Sequence, residues 1–247
     1  MSADDPMNAR PSLEHFEPPS WYFDHPRADV AAVLPDDISG VLDVGCGSGA
    51  FLQYLGETRP ELSLAGIETE ERAADAARAA GLDVRHAAFP DGLTDVPDDI
   101  DCVVFNDVLE HLVDPWHALM AAADFVGPDG RLVISLPNLR NLDTLRDLVL
   151  RGDFHYRAHG VLDVTHLRFF TMRSARRLLE ECGWDVVSEQ FTGRLRSRKL
   201  VAAGTALGLV VPWIRREGLY RQFILTARPA RTRPSSSPHR RPSRNEP

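Results

Sequence analysis

The sequence predicts an α/β fold: a doubly wound, mostly parallel seven-stranded sheet with helices on both faces. Three observations predict it. Short apolar runs alternate with amphipathic stretches through the first half of the chain. The first run, Val41-Leu42-Asp43-Val44, feeds a loop with glycine at every second position, Gly45, Gly47 and Gly49. The second run ends on Glu68, 19 residues after Gly49.

The elements follow in order. A helix is expected over 21–34, near the mouth of a ligand site. Strand 41–45 leads through the glycine loop into helix 50–57, which carries Phe51, Leu52 and Leu55 on one side. Strand 62–68, helix 70–80 and strand 82–86 come next, then a loop over 90–99 rich in Asp, Gly and Pro. Strand 102–106, helix 115–125 and strand 131–136 complete the alternation. Helix 171–182 and strands 184–191 and 222–227 close it. Residues 1–20 are polar and proline-bearing and are expected to be disordered, as is the basic tail 228–247. One domain spans 21–227. Two segments fall outside the minimal sheet, 138–170 and 192–220. In open α/β sheets ligands lie beyond the strand C-termini, so segments emerging there form the natural substrate lid.

The glycine loop sets the chemistry. Without a Cβ, a ligand approaches the main chain closely. The spacing is G-x-G-x-G, not the G-x-G-x-x-G of dinucleotide binders, and this argues against a nicotinamide-dependent oxidoreductase. Neighbouring parallel strands end side by side, which places Glu68 next to the loop. A carboxylate there accepts both hydroxyls of a ribose. The competing account is an acid that opens the helix after it.

Residues 41–49 with Glu68 resemble the cofactor half of class I S-adenosylmethionine-dependent methyltransferases, a Rossmann-like family. Asp107-Val108-Leu109-Glu110-His111-Leu112, followed by Asp114-Pro115, resembles the segment after the family's fourth strand, and 130–138 resembles its fifth strand. The resemblance covers about 21–227. It implies S-adenosyl-L-methionine as cofactor, held by Asp43, Gly45, Cys46, Gly47, Gly49 and Glu68, with Asn106 and Asp107 beside the methyl group. Where the family often has a polar residue near the adenine, this chain reads Ala87-Ala88-Phe89-Pro90-Asp91, so backbone groups and Phe89 take that place.

Asp163-Val164-Thr165-His166-Leu167-Arg168-Phe169-Phe170 resembles a stretch of a methyltransferase subfamily associated with surface-polysaccharide and lipid-linked glycan pathways. That points to O-methylation of a carbohydrate or glycan-linked hydroxyl. The segment 109–112 is similar instead to enzymes that methylate quinone precursors, so a small-molecule or lipid hydroxyl is the alternative. A catalytically silent cofactor-binding partner is a third reading. A hydroxyl nucleophile must lose a proton, and a His with pKa near 6.5 suits that task. His166 and His111 are the candidates, each with a structural account beside it: His166 tied to Asp163, His111 bonded to a neighbouring backbone group. Arg168 and Asp163 are candidate substrate contacts, Arg168 through a fork suited to carboxylate or phosphate. Its alternative is an ion pair with Asp163 or Glu180. Tyr22 and Arg27 match positions that close over the cofactor. No metal is expected, since His155, Tyr156 and His159 lack a completing Cys or carboxylate.

The net charge of −8 argues against a nucleic-acid partner. Three scattered cysteines, Cys46, Cys102 and Cys182, fit a reducing compartment, hence a cytoplasmic protein. The segment 192–220 carries Arg194, Arg196, Arg198 and Lys199 before an uncharged run, 200–214, and Arg215 and Arg216 after it. That layout suits either a peripheral contact at the inner face of a membrane or a packed helix or dimer contact. The oligomeric state is left open.

Overall fold

The structure is a computed structural model, in which residues 25–231 are described. A seven-stranded sheet has the order β3-β2-β1-β4-β5-β7-β6. The strands are β1 (Gly40–Val44), β2 (Ser63–Glu68), β3 (Val84–His86), β4 (Cys102–Asn106), β5 (Arg131–Pro137), β6 (Trp184–Arg194) and β7 (Tyr220–Pro229). The first five run parallel, and β7 lies antiparallel to both β5 and β6. The seven-stranded, mostly parallel sheet expected from the sequence is therefore present.

Period-two alternation sorts the sheet's side chains. Leu42, Val103, Phe105, Leu132 and Ile134 pack with α4 (Pro115–Val126) and α6 (Met172–Glu181). Val41, Cys102, Val104 and Val133 face the other way, against α1 (Ala28–Ala31) and α2 (Ala50–Thr58). Ala74 and Ala77 of α3 (Glu71–Ala79) join Leu52 and Val84 in a third cluster. Burial on both faces explains why β1 reads as an unbroken apolar run apart from Asp43.

Local signals start the helices. Asp114 accepts from the His117 amide at 3.0 Å with Pro115 at the first helical position, and Thr171 and Ser174 form a reciprocal capping box. Of the helix expected over 21–34, the described residues hold the single turn α1, which starts after Arg27 in a left-handed conformation at φ 44°. Residues 21–24 lie outside the described residues, Tyr22 among them.

The two segments beyond the minimal sheet contain helices of their own, α5 (Leu142–Arg151) and α7 (Arg198–Leu207), and a π-helical turn over Ile214–Gly218. The chain from 138 to 170 leaves and rejoins the sheet at one place. Asn138 and Phe170 form a bridge, and the Leu139 amide donates to the Phe170 carbonyl at 2.9 Å. The side chain of Asn138, fully buried, donates to the carbonyls of Glu217 and Tyr220, so both segments share one anchor.

Candidate active site

The glycine loop adopts the backbone that only glycine takes without strain: φ is 73° at Gly45, 56° at Gly47 and 86° at Gly49. A Cβ at Gly45 would lie 2.6 Å from Val108 Cγ2, so the loop also packs hard against the segment after β4. Glu68, at the end of β2, is buried and holds the loop. Its Oε2 accepts the Gly47 amide at 2.8 Å. Its Oε1 accepts the Thr69 and Glu70 amides at 2.7 and 2.8 Å. The helix-opening account expected from the sequence is thus observed, together with a bond to the glycine loop. Oε1 serves the start of α3, with the Thr69 hydroxyl also 3.4 Å away, while Oε2 accepts from the loop.

Behind the loop, Asp43 is fully buried. Burial, with Glu68 adding repulsion, pushes its carboxyl up to about 8. Asn106 donates to it through Nδ2 at 3.3 Å, while Asn106 Oδ1 is buried with no partner. The Cys46 thiol is buried against Gly66 and is driven far above its ordinary range by desolvation. It has no exposed, reactive thiolate character. Phe89 is half-buried and meets Phe105 edge to face at 5.5 Å.

Asp107 follows β4 in a left-handed conformation, φ 55°. Its carboxylate collects three donors: Arg27 Nη1 at 2.7 Å, Gln222 Nε2 at 2.7 Å and Ser135 Oγ at 2.5 Å. Arg27 also donates to Ser135 Oγ at 2.9 Å and to Asp29 at 3.1 Å, and its side chain is only 12% exposed. Arg27 is therefore no surface charge. It closes a polar cluster over the ends of β4, β5 and β7. Ser135 and Gln222 were not visible in the sequence as site residues. Only the cross-strand register, which pairs Ser135 with Asn106, brings them in.

The first inserted segment, 138–170, expected from the sequence to be a lid, folds onto the segment after β4. The Leu167 and Arg168 amides donate to the Glu110 carbonyl at 2.9 and 3.0 Å. This brings His166 against His111, ring centroids 4.8 Å apart, edge to face. His166 Nδ1 lies 3.2 Å from the Val161 carbonyl, which assigns the proton to Nδ1 and leaves Nε2 as the acceptor, 4.0 Å from Glu110. The expected tie from His166 to the Asp163 side chain is replaced by this carbonyl. Asp163 instead accepts from the Thr165 amide and hydroxyl at 2.8 and 2.6 Å, shaping the turn. It is buried within the turn and serves as a brace there. Burial lowers both histidines below the usual imidazole range. Glu110 is fully buried with neither carboxylate oxygen bonded, and burial beside Asp107 raises it well above the usual carboxylate range. The donor atoms of Glu110, His111 and His166 lie within 4.8 Å of one another, the donor types of a metal site, although the sequence led us to expect no metal.

Arg168 is placed differently from either expectation. It donates to the carbonyls of Leu112 (3.2 Å) and Val113 and lies 5.0 Å from the Trp116 ring centre. It meets neither Asp163 nor Glu180, because residues 112–113 end a turn with carbonyls pointing at it. It pins the lid. Beyond His166, Phe169 (6.2 Å), Phe154 (5.3 Å from Phe169) and Tyr156 (5.7 Å from Phe154) form an aromatic tier leading outward. Phe154 and Tyr156 were not singled out as site residues in the sequence.

The polar groups present suit a nucleoside bearing an amino-acid group. There is a glycine cradle, a buried carboxylate at its edge in Glu68, an orphaned acceptor in Asn106, and a carboxylate–guanidinium pair in Asp107 and Arg27.

Comparison with known proteins agrees. The sequence model described as "Methyltransferase domain" matches residues 12–189. The ubiquinone biosynthesis O-methyltransferase of Aeromonas salmonicida is 26% identical over 149 residues, 58% of this chain and 61% of that protein. The same-named protein of Xylella fastidiosa is 34% identical over 104 residues, 40% of this chain and 42% of its own length. The chain thus spans less than two thirds of these relatives. Among solved structures, a SAM-dependent methyltransferase from Archaeoglobus fulgidus superposes with TM-score 0.60 at 19% identity, covering 83% of this chain and 94% of that one. Magnesium protoporphyrin IX methyltransferase from Synechocystis, solved with bound SAH, gives 0.52 at 17% identity, covering 83% and 81%. At such identities the likeness shows the fold.

Proposed function

The chain belongs to the class I S-adenosylmethionine-dependent methyltransferases, and on that premise we propose that it methylates a ring hydroxyl of a small aromatic or quinone-like molecule. The observation that carries the proposal is the aromatic tier Phe169, Phe154 and Tyr156 running up to the His111–His166 pair. A flat ring seated there presents a hydroxyl to His166 Nε2, the nitrogen that the Val161 carbonyl leaves as an acceptor. Two of the relatives named above act, by their names, in ubiquinone biosynthesis, which supports the same class of acceptor. The carbohydrate hydroxyl suggested by 163–170 finds no support in those names.

S-adenosyl-L-methionine is the methyl donor, and when bound it supplies an electrophilic sulfonium methyl group. We assign the ribose to Glu68, the adenine side to Phe89 and the backbone after β3, and the amino-acid end to Asn106, Asp107 and Arg27. Gly45, Gly47 and Gly49 let the main chain approach. His166 Nε2 would receive the proton that the acceptor hydroxyl sheds when its oxygen takes the methyl group and the sulfur keeps the pair of the broken S–C bond. A lowered pKa keeps His166 unprotonated at neutral pH, so it is ready to accept. His111 stands against it edge to face and holds its plane. Holding the hydroxyl in line about 3 Å from the methyl supplies much of the rate.

The test is transfer of a radiolabelled methyl group to a panel of acceptors. A catechol or hydroquinone should be methylated on oxygen while mono- and disaccharides are not. Methylation of a saccharide with phenols refused would restore the carbohydrate reading.

A further inference from the structure

Within the second inserted segment, residues 194–216 contain six cations and no acid. Arg194, Arg196, Arg198, Lys199, Arg215 and Arg216 are all exposed. Elsewhere many arginines find acids, Arg27, Arg59, Arg131, Arg140, Arg176 and Arg221 among them, although isolated ones such as Arg72 and Arg173 do not. Among the described residues, none of the six cations in the segment does. The acid next in the chain, Glu217, is taken, since it pairs with Arg140 at 2.7 Å. The chain carries a net charge of −8, so leaving this positive cluster uncompensated runs against its overall balance.

The same segment exposes apolar side chains at a turn. Leu207, Leu209 and Val210 are 52%, 73% and 82% exposed. A cation sits among them. A Cβ at Gly208 would lie 2.0 Å from Arg215 Cγ, so the Arg215 stem lies across the turn between Leu207 and Leu209. Helix α7 packs by one face only: Gly204 is buried, and a Cβ there would strike Leu142 and Leu219. Its opposite face, with Arg198, Lys199, Ala202 and Ala206, is open. No helix among the described residues is long and apolar enough to cross a membrane.

We propose that the 194–216 segment is a docking surface for an anionic lipid bilayer. Leu207, Leu209 and Val210 enter the headgroup boundary and the surrounding cations meet lipid phosphates. The pairing of exposed apolar tips with unpaired cations decides the partner. A nucleic acid would use the cations and leave the leucines in water, whereas a bilayer interface uses both. This surface stands independently of which acceptor the enzyme takes.

The test is flotation of the full chain with vesicles. Mixed phosphatidylcholine–phosphatidylglycerol vesicles should bind it, and pure phosphatidylcholine vesicles should bind it far less. Raising salt from about 0.05 to 0.5 M should release it, because the Debye length contracts below 5 Å. Changing Arg194, Arg196, Arg198 and Lys199 together to Ser should weaken binding about 100-fold. Leu209→Ser with Val210→Ser should weaken it about tenfold. These side chains are exposed, so thermal unfolding should be unchanged and reports whether each variant is folded. Changing Arg233, Arg240, Arg241 and Arg244 of the tail to Ser should leave binding intact. The proposal is overturned if the full chain ignores anionic vesicles or if the tail carries the binding. It also falls if the Leu209/Val210 variant binds as well as the parent, which would mark a plain polyanion site.

Discussion

The cofactor side and the acceptor side of the site solve the same problem in opposite ways. On the cofactor side the buried carboxylate of Glu68 is satisfied by three backbone amides, from Gly47, Thr69 and Glu70. All come from the loop and turn next to it in the fold. On the acceptor side the buried carboxyl of Glu110 has no hydrogen bond at all. Its neighbours are two histidines, one of them brought from the lid. A charge fixed by amides is preorganised and stays put. An unbonded acid between imidazoles, with its pKa raised, is poised for proton handling.

The largest effect should fall on the acceptor side. His166→Ala should lower turnover by roughly 10²–10⁴-fold while cofactor affinity stays nearly constant. Turnover and calorimetric binding, measured together, check it. Near-normal turnover would remove His166 from the mechanism. Prolonged treatment with EDTA should leave the parent enzyme active; loss restored by a divalent ion would instead make Glu110, His111 and His166 a metal centre.

Asp43 gives the next effect, on stability. Its folded pKa, about 8, lies above its unfolded value, so the neutral group favours the folded state at low pH. Stability is full below about pH 4 and is lost as pH rises toward about 8. Asp43→Asn keeps an acceptor for Asn106 and removes the charge. It should flatten that fall and stabilise the cofactor-free protein at pH 8 by a few kcal/mol. Chemical denaturation at pH 5 and pH 8 measures it, and an unchanged pH slope would show that Asp43 is not the buried charge responsible.

Glu68→Gln keeps one acceptor oxygen and turns the other into a donor facing amides. The expected cost is about 1.5–3 kcal/mol in stability, with cofactor affinity weakened about tenfold or more. A variant that loses affinity without losing stability would separate a ribose contact from the loop brace. The smallest effect belongs to Arg168→Met. It removes the bonds to the Leu112 and Val113 carbonyls and the contact over Trp116, for about 1–2 kcal/mol. Its KM for the acceptor should rise more than kcat falls, since it anchors the lid and touches no reacting atom. An equal fall in kcat would place it at the chemistry instead.

The sequence by itself determined the cofactor half. Strand, glycine loop, helix and acid at 41–68 are contiguous, and each is set by local physics: positive φ at glycine, period-two burial, a helix cap. The acids and loops there find their partners within a few residues or in the neighbouring strand. The sequence also marked His111, His166 and the basic segment at 194–216 as unusual. Only the tertiary structure decided what they meet. Arg27 and Asp107 are 80 residues apart, and Arg168 meets the Leu112 carbonyl 56 residues away. Such contacts depend on strand register and on where the lid rejoins the sheet. No periodicity records them. The same reason explains why Arg168 has carbonyls in place of an ion pair, and why Ser135, Gln222, α5 and α7 leave no mark in the sequence pattern. Their apolar faces are short, and their helical state is stabilised by packing on each other and on the shared anchor at Asn138.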